Sequence, residues 1–384
     1  MSILTDEQLK IQERVRHLAQ QKIRPKADEI DQRDEYPADI VRLMADEGLL
    51  KLGVPKKYGG FNADTTTLSL VISELSQAMA PMGSLVLSTQ SVVKIIKAFG
   101  SEDLKHRVFT DLSSGDKLLA FCLTEPDAGS DAHSLTTEAV LQGDHYVVNG
   151  QKRWITLATV ADYYLVVVRT GGKSKKDDLS ALLIHRDTPG LSFGKKDRKL
   201  GMRGSVTADV LFQDARVPKE NLVGKEGQGW HILTNFSNSM RCWGAASIAL
   251  GIAQGALDHA VAYAKKRKQF GKPISDFQAT RFKLADMEMQ VEAARSLIYR
   301  TNAQVDREGD LVTDRTMSWV SMSKCFAADV AMKVTIDAVQ ILGSYGLLSS
   351  SPVQRMMRDA KGVQIFDGSN QIQRIIISKN LLSR

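Results

Sequence analysis

His145-Tyr146-Val147-Val148-Asn149-Gly150-Gln151-Lys152-Arg153-Trp154-Ile155-Thr156 is the stretch at which this chain changes character. Residues 145–148 and 152–156 are rich in β-branched and aromatic side chains. They flank Asn-Gly, the pair that most readily takes positive φ at both centres of a two-residue turn, so the pattern predicts a β-hairpin. Working outward, 163–169, 181–185 and 208–212 also read as strands. Upstream, Thr5-Asp6-Glu7-Gln8 forms a capping box ahead of apolar Leu9, Ile11, Val15 and Leu18, and Pro37 and Gly48 bracket a second helix. Helical periodicity continues over 68–79 and 92–99, and the helical unit closes near Leu119. Downstream of the glycine-rich turn 224–229, the Ala-rich segments 245–265, 279–305 and 313–342 predict long helices joined by short loops, as in a bundle. The order is helices, strands, helices, which lacks the strand-helix alternation of a dinucleotide-binding α/β fold. We expect an α+β chain of three domains: an all-α domain over 1–120, a β domain over 121–236 and a helical bundle domain over 237–384.

With 384 residues, 43% of them hydrophobic and 25% charged, the composition is that of an ordinary globular protein of two or three structural units. The net charge of +7 comes from basic residues interspersed with acids, a mild bias towards anionic ligands such as phosphorylated cofactors. Basic runs such as Lys265-Lys266-Arg267-Lys268 are short and lack interleaved aromatics, so no nucleic acid is expected as a partner. Cys122, Cys242 and Cys325 are widely spaced, which argues against a zinc site or a disulfide framework and for a reducing compartment. The first residues have no basic start and apolar core of a leader, and no apolar run is long enough to span a bilayer. The expectation is a cytoplasmic protein without a membrane partner.

Common catalytic signatures are missing. The seven histidines include no HExxH pair, there is no G-x-S-x-G elbow, and Gly172-Lys173-Ser174 fails as a P-loop because Val167 stands where its first glycine must be. No metal is expected. Three segments carry more chemistry. Cys122-Leu123-Thr124-Glu125-Pro126-Asp127-Ala128-Gly129-Ser130-Asp131 is a turn rich in hydroxyls and small residues, either a capped turn or a loop offering amides and hydroxyls to a polar ring. Trp154-Ile155-Thr156 is either a strand with one buried aromatic or part of a ligand wall. Ile365-Phe366-Asp367-Gly368-Ser369-Asn370 joins two helical segments, and its aspartate is either a helix cap or a carboxylate desolvated towards a neutral pKa, fit to be a general base.

Together, in this order, the motifs resemble the acyl-CoA dehydrogenase family over essentially the whole chain. Gly48-Leu49-Leu50 and Val54-Pro55-Lys56-Lys57-Tyr58-Gly59-Gly60 look like its N-terminal G-L-L and V-P-x-x-Y-G-G, and 122–131 its L-T-E-P-x-x-G-S-D. Residues 149–156, the Arg267 to Gly271 stretch, Gln340-Ile341-Leu342-Gly343 and 367–374 complete the match. The resemblance implies an N-terminal all-α domain, a middle β-barrel-like domain and a C-terminal four-helix bundle, and it implies FAD, with Phe121, Leu123 and Thr124 lining the flavin ring, Ser130 near the ADP or thioester side, and Trp154 and Thr156 closing over the isoalloxazine. It implies a homotetramer in which Arg267, Phe270, Gln340 and Gly343 bind the pyrophosphate and adenosine of a neighbouring subunit's FAD, while Ser369 and Gln371 flank the cofactor. Asn238, Arg241, Gly368, Leu87, Ser91 and Ser130 are the expected substrate-side residues, Arg241 propping the loop that holds Asp367.

By the same resemblance Asp367 is the base that removes a proton next to an acyl-CoA thioester carbonyl, the β-hydrogen leaves as hydride to the flavin, and an electron-transfer flavoprotein reoxidises the cofactor. Two positions depart from the family pattern. Most members carry glutamate where this chain has Asp367, and the alternative helix position, just before Arg241, is Met240. Losing one methylene retracts the carboxylate by roughly 1.5 Å. A shorter base suits an acyl group whose α-carbon comes closer, and aspartate here resembles the alicyclic members that act on cyclohexane-carboxyl-CoA-type thioesters. Leu157-Ala158 replaces the usual Asn-Gly or Asn-Ala after Thr156. Alternatives of the same general fold are a nitroalkane oxidase, which also uses an aspartate base, a straight-chain acyl-CoA dehydrogenase, and a non-catalytic FAD or acyl-CoA binding protein.

Overall fold

The computed structural model describes residues 4–171, 178–236, 239–309 and 312–383. The expected Thr5 capping box opens α1 (Asp6–Leu18), with the Thr5 hydroxyl accepting from Gln8 N and the Gln8 side chain accepting from Thr5 N. Short α2 (Ala27–Arg33) and α3 (Ala38–Asp46) follow, α3 starting after Pro37 as read. Asp64 caps α4 (Thr65–Ala78), and Ser101 caps α6 (Glu102–Leu112) after the long buried α5 (Ala80–Phe99).

At Leu119 the chain enters an eight-stranded sheet: β1 (Leu119–Cys122), β2 (Glu138–Gln142), β3 (His145–Thr156), β4 (Tyr163–Arg169), β5 (Leu179–His185), β6 (Leu191–Phe193), β7 (Thr207–Pro218) and β8 (Leu222–Val223). The order is β6-β7-β3-β2-β4-β5-β8, with β1 parallel to β4. One expectation fails here. Residues 145–156 are a single twelve-residue strand, and no hairpin turns at Asn149-Gly150. The tight turn lies earlier, at Gly143-Asp144, where Gly143 has φ +64 and Gln142 pairs with His145. Asn149 serves a bulge instead. Between Val148↔Ala215 and Gly150↔Phe212 the neighbouring strand β7 carries one extra residue, and Asn149 exchanges two hydrogen bonds with Asp214, which sits at φ +49. Gly150 (φ +142) is required because a Cβ there would meet the Thr137 Cα at 2.7 Å.

Helices resume with the single turn α7 (Gly229–His231) and two π-helical stretches, Ile232–Phe236 and Arg241–Ala246, followed by α8 (Ser247–Lys266). A two-stranded ribbon, β9 (Lys268–Gln269) and β10 (Lys272–Pro273), leads into α9 (Gln278–Glu308), α10 (Asp314–Leu342), α11 (Pro352–Val363) and α12 (Asn370–Leu382). Against the expectation of no bilayer-length apolar run, 241–266 is long and apolar enough to cross a membrane by length and composition, but 72% of its 18-residue apolar window is buried inside the protein, where α8 packs on α4, α9 and α10. One apolar core runs from Val15 and Leu75 through Ile155 and Val210 to Trp243, Ile298 and Val334, so helical and sheet portions share an interior. The cysteines at 122, 242 and 325 are free and buried.

Candidate active site

Asp367 lies between α11 and α12, and the cap reading does not apply to it. Ser369 caps α12, its Oγ accepting from Ile372 N at 3.4 Å. Asp367 stands at φ +54 and Gly368 at φ +82, two successive left-handed residues, and such a pose costs a residue with a side chain about 1–3 kcal/mol. The surroundings hold it there. Arg241 Nε donates to the Asp367 carbonyl at 3.0 Å, while Lys324 Nζ and Gln373 Nε2 both donate to the Gly368 carbonyl, at 2.9 and 2.8 Å. A Cβ on Gly368 would meet Gln373 Nε2 at 2.7 Å and Arg241 Nη2 at 3.0 Å, so the turn admits only glycine in this packing.

Among the described residues no hydrogen bond reaches the Asp367 carboxylate, which is left available for chemistry. The residue is open to solvent on one side and enclosed by protein on the others. Exposure gives a ligand access, and enclosure decides the direction of the acidity: desolvation raises the carboxyl above its ordinary 3.8, against the lowering pull of the Lys324 and Arg241 cations. Burial pulls Arg241 down to about 10 and Lys324 down to about 8, with Asp367 acting in the opposite direction on both.

The second expected group assembles where β3 crosses the loop after β1. Lys152 Nζ donates to the Leu123 carbonyl at 3.2 Å and pairs with Glu125 at 2.7 Å, and Arg153 N donates to the Thr124 carbonyl at 2.7 Å. Both partners of the ion pair are buried. Glu125 also accepts from Thr136 N, Thr136 Oγ1 and Thr137 N. Burial acts to raise its carboxyl, but Lys152 and these donors outweigh it and hold it at about 2. Between Lys152↔Val210 and Ile155↔Ala208, β3 carries one extra residue, and Trp154 (φ +56) is turned out of the sheet and 55% exposed instead of buried. Phe121, Leu123, Thr124 and Thr156 are half-buried beside it in sequence and pairing. A rigid loop with a bulged-out indole fits a planar, heteroaromatic group such as a flavin. Leu157 and Ala158 are buried, Leu157 N donating to Val206 O, so the unusual pair still closes the strand end.

Arg267, Phe270, Gln340 and Gly343 form a third, separate group. Phe270 (φ +51) is 94% exposed on the β9–β10 turn, and Arg267 lies 5.9 Å from the centre of the Tyr345 ring just beyond Gly343. Along α10, Lys324 and Leu342 are 18 residues apart, roughly 27 Å at 1.5 Å per residue. This group is therefore remote from Asp367 in its own chain.

Of the other expected residues, Ser130 and Gln371 are exposed, and Ser369 is half-buried. Leu87 is buried against the position where Gly244 lacks a side chain, and Ser91 turns its hydroxyl back onto the Leu87 carbonyl at 2.6 Å, so Ser91 is committed to its own helix. Asn238 and the Gly172-Lys173-Ser174 loop lie outside the described residues. Sequence reading missed Lys324, Gln373 and the Lys152–Glu125 pair. The last had a signal, since both residues fall inside the two motif segments.

Comparison with known proteins agrees along the chain. Residues 5–116, 120–215 and 227–382 match the family models for the N-terminal, middle and C-terminal domains of acyl-CoA dehydrogenase. The chain is 44% identical to an acyl-CoA dehydrogenase of Bacillus subtilis, covering 99% of both. It is 41% identical to cyclohex-1-ene-1-carbonyl-CoA dehydrogenase of Syntrophus aciditrophicus, over 100% of this chain and 91% of that one. Among solved structures, butyryl-CoA dehydrogenase of Megasphaera elsdenii superposes with TM-score 0.94 at 37% identity, covering 99% of each chain. A chain from work on the electron transferring flavoprotein of Acidaminococcus fermentans gives 0.94 at 39%, also over 99% of each. A glutaryl-coenzyme A dehydrogenase with glutaryl-CoA gives 0.94 at 35%, over 99% and 96%.

Proposed function

The chain belongs to the acyl-CoA dehydrogenase family, and on that premise we propose that Asp367 removes the α-proton of an acyl-CoA thioester whose acyl group is cyclic, of the cyclohexane-1-carboxyl type, or branched. As a member it is an FAD-dependent oxidoreductase acting on CH–CH bonds of acyl-CoA substrates. The observation that carries the proposal is the Asp367 loop: a carboxylate free of hydrogen bonds among the described residues, on a turn pinned by Arg241, Lys324 and Gln373.

Proton removal next to a thioester needs a base held within reach of one carbon, and the two left-handed residues fix where the short Asp367 side chain begins. FAD, when bound, supplies the acceptor for the hydride that leaves the β-carbon as the double bond forms. Phe121, Leu123, Thr124, Trp154 and Thr156 would hold its ring, with the Lys152–Glu125 pair keeping the 123–125 backbone rigid. Ser130, Ser369 and Gln371 would border the cofactor, and Arg241, Gly368 and Leu87 the acyl thioester. The short base and the cyclohexene-carbonyl-CoA relative favour a cyclic acyl group.

A homotetramer completes the proposal. Arg267, Phe270, Gln340 and Gly343 lie too far from Asp367 to meet the same flavin in one chain, and Phe282 and Met289 on α9 and Ile336 on α10 are large apolar side chains left exposed. An electron-transfer flavoprotein is the proposed acceptor, supported by the Acidaminococcus relative. The buried free thiols suit the cytoplasm.

The test is a panel of cyclic, branched and straight acyl-CoAs, plus nitroethane, with an artificial electron acceptor. Cyclohexane-1-carboxyl-CoA or an α-branched thioester is expected to give the highest kcat/KM; activity confined to straight chains would overturn the cyclic assignment. Asp367→Asn should keep FAD yet fail to bleach it with any acyl-CoA, and substantial turnover would move the base elsewhere.

A further inference from the structure

Lys324 is a fully buried lysine in the middle of α10, and proton abstraction as described above does not call on it. Its ammonium donates to the Gly368 carbonyl at 2.9 Å and to Asn370 Oδ1 at 3.0 Å. Among the described residues no carboxylate lies within salt-bridge distance of it. A buried charge with no carboxylate in direct contact is unfavourable, and an apolar residue of similar length would pack α10 against α12 without that cost. Asn370, which it grips, is itself fixed by Nδ2 bonds to the Cys325 carbonyl and to Asp329, and Asp329 also binds Gln364 and Arg374. Lys324 therefore joins the turn holding Asp367 to a network spanning α10, α11 and α12.

We propose that Lys324 is a positioning residue of the reaction: by gripping the Gly368 carbonyl and Asn370 it fixes the peptide plane beyond Asp367 and aims the carboxylate at the α-carbon. This rests on Asp367 being the base. Arg241 pins the preceding carbonyl, so the two consecutive peptides after the Asp367 Cα are each held by a cation from a different element, the π-helical segment and α10. Lys324 also acts through its charge. The charged and titratable groups around it are Asp367 on the loop, Arg241 on the π-helical segment, Cys325 and Asp329 on its own helix, and Arg374 on α12. A nearby cation favours the ionised carboxylate, so Lys324 opposes the desolvation that would otherwise keep Asp367 protonated.

The experiment is anaerobic stopped-flow reduction of the bound flavin by the best substrate of the panel, across pH, in the FAD-loaded wild type and in Lys324→Met, Lys324→Gln and Lys324→Arg. The Met variant is expected to keep FAD, to lose about 100-fold in rate, and to move the acid limb up by about one pH unit. Gln keeps hydrogen-bond donors without charge, so it should recover part of the rate but leave the limb raised. Arg should bring the limb back. A Met variant with an unchanged rate and limb overturns the role. Should Met fail to fold, an unshifted limb in Gln overturns the charge effect, and a rate in Gln no higher than that of Lys324→Ala, which has no donor, overturns the hydrogen-bond role. Binding of the enoyl-CoA product, followed by the flavin spectrum, gives a readout without turnover and should weaken in Met. Asp367→Asn separates the two claims: if it turns over freely the base assignment fails, whereas an inactive Asn variant beside unperturbed Lys324 variants sinks only the positioning role.

Discussion

At the scale of single residues, with Asp367 as the proposed base, one methylene is expected to decide which acyl group reacts. Asp367→Glu advances the carboxylate by roughly 1.5 Å on an unchanged turn. We expect kcat/KM for cyclohexane-1-carboxyl-CoA to fall by about 10- to 100-fold and that for butyryl-CoA to rise, and the ratio of the two reads the effect. Acidity adds a second consequence. Because desolvation outweighs the two cations and raises the Asp367 carboxyl, flavin reduction should appear as pH rises through a value above the ordinary aspartate range. The stability term has the opposite sign: a raised folded-state pKa favours the fold below the unfolded value and withdraws that contribution as the same group ionises. Activity therefore switches on where this residue's contribution to stability is lost.

At the scale of elements, strand β3 is tied to the loop after β1 by the buried Lys152–Glu125 ion pair. Lys152→Met would leave Glu125 buried with no cation, a loss of about 3–5 kcal/mol. Urea denaturation should show it directly. The double variant Lys152→Met with Glu125→Gln should recover much of that, while FAD retention stays reduced because the grip on the Leu123 carbonyl is gone. The pair's contribution is present above the unfolded glutamate pKa and disappears as pH falls towards about 2. Most elements were legible in the sequence because their signals are local: the Thr5–Gln8 box, the Pro37 boundary, the Ala-rich periodicity of α8 to α10. The Asn149-Gly150 reading failed because a side chain on the next strand decides it. Asn149 satisfies a bulge in β7, a contact 65 residues away, and no window around 149 contains that information.

At the scale of the whole molecule, the loop bearing Asp367 was legible as a motif, but its supports were not. Lys324 is one of 51 basic residues with no neighbouring signature, and only the packing of α10 under α12 brings it to Gly368. In the proposed tetramer the third group would serve a neighbouring chain's cofactor. Phe270 stands 94% exposed in the two-residue turn of the β9–β10 ribbon, its ring edge-on to Phe277 at 6.1 Å and otherwise open to a neighbour. Phe270→Asp is expected to lower the oligomeric state in light scattering after gel filtration, and to release FAD on dilution while leaving the helical circular dichroism intact. A tetramer that survives with FAD bound would remove this ribbon from the assembly.

The continuity of β3 matters to anyone who wishes to splice a reporter into this protein. Asn149-Gly150, attractive as a loop tip on paper, is an interior rung of the sheet, where an inserted segment would sever pairing with β7 and press upon Thr137. The tolerant address is Gly143-Asp144, where an added Cβ on the glycine meets nothing within 4 Å and the backbone already reverses.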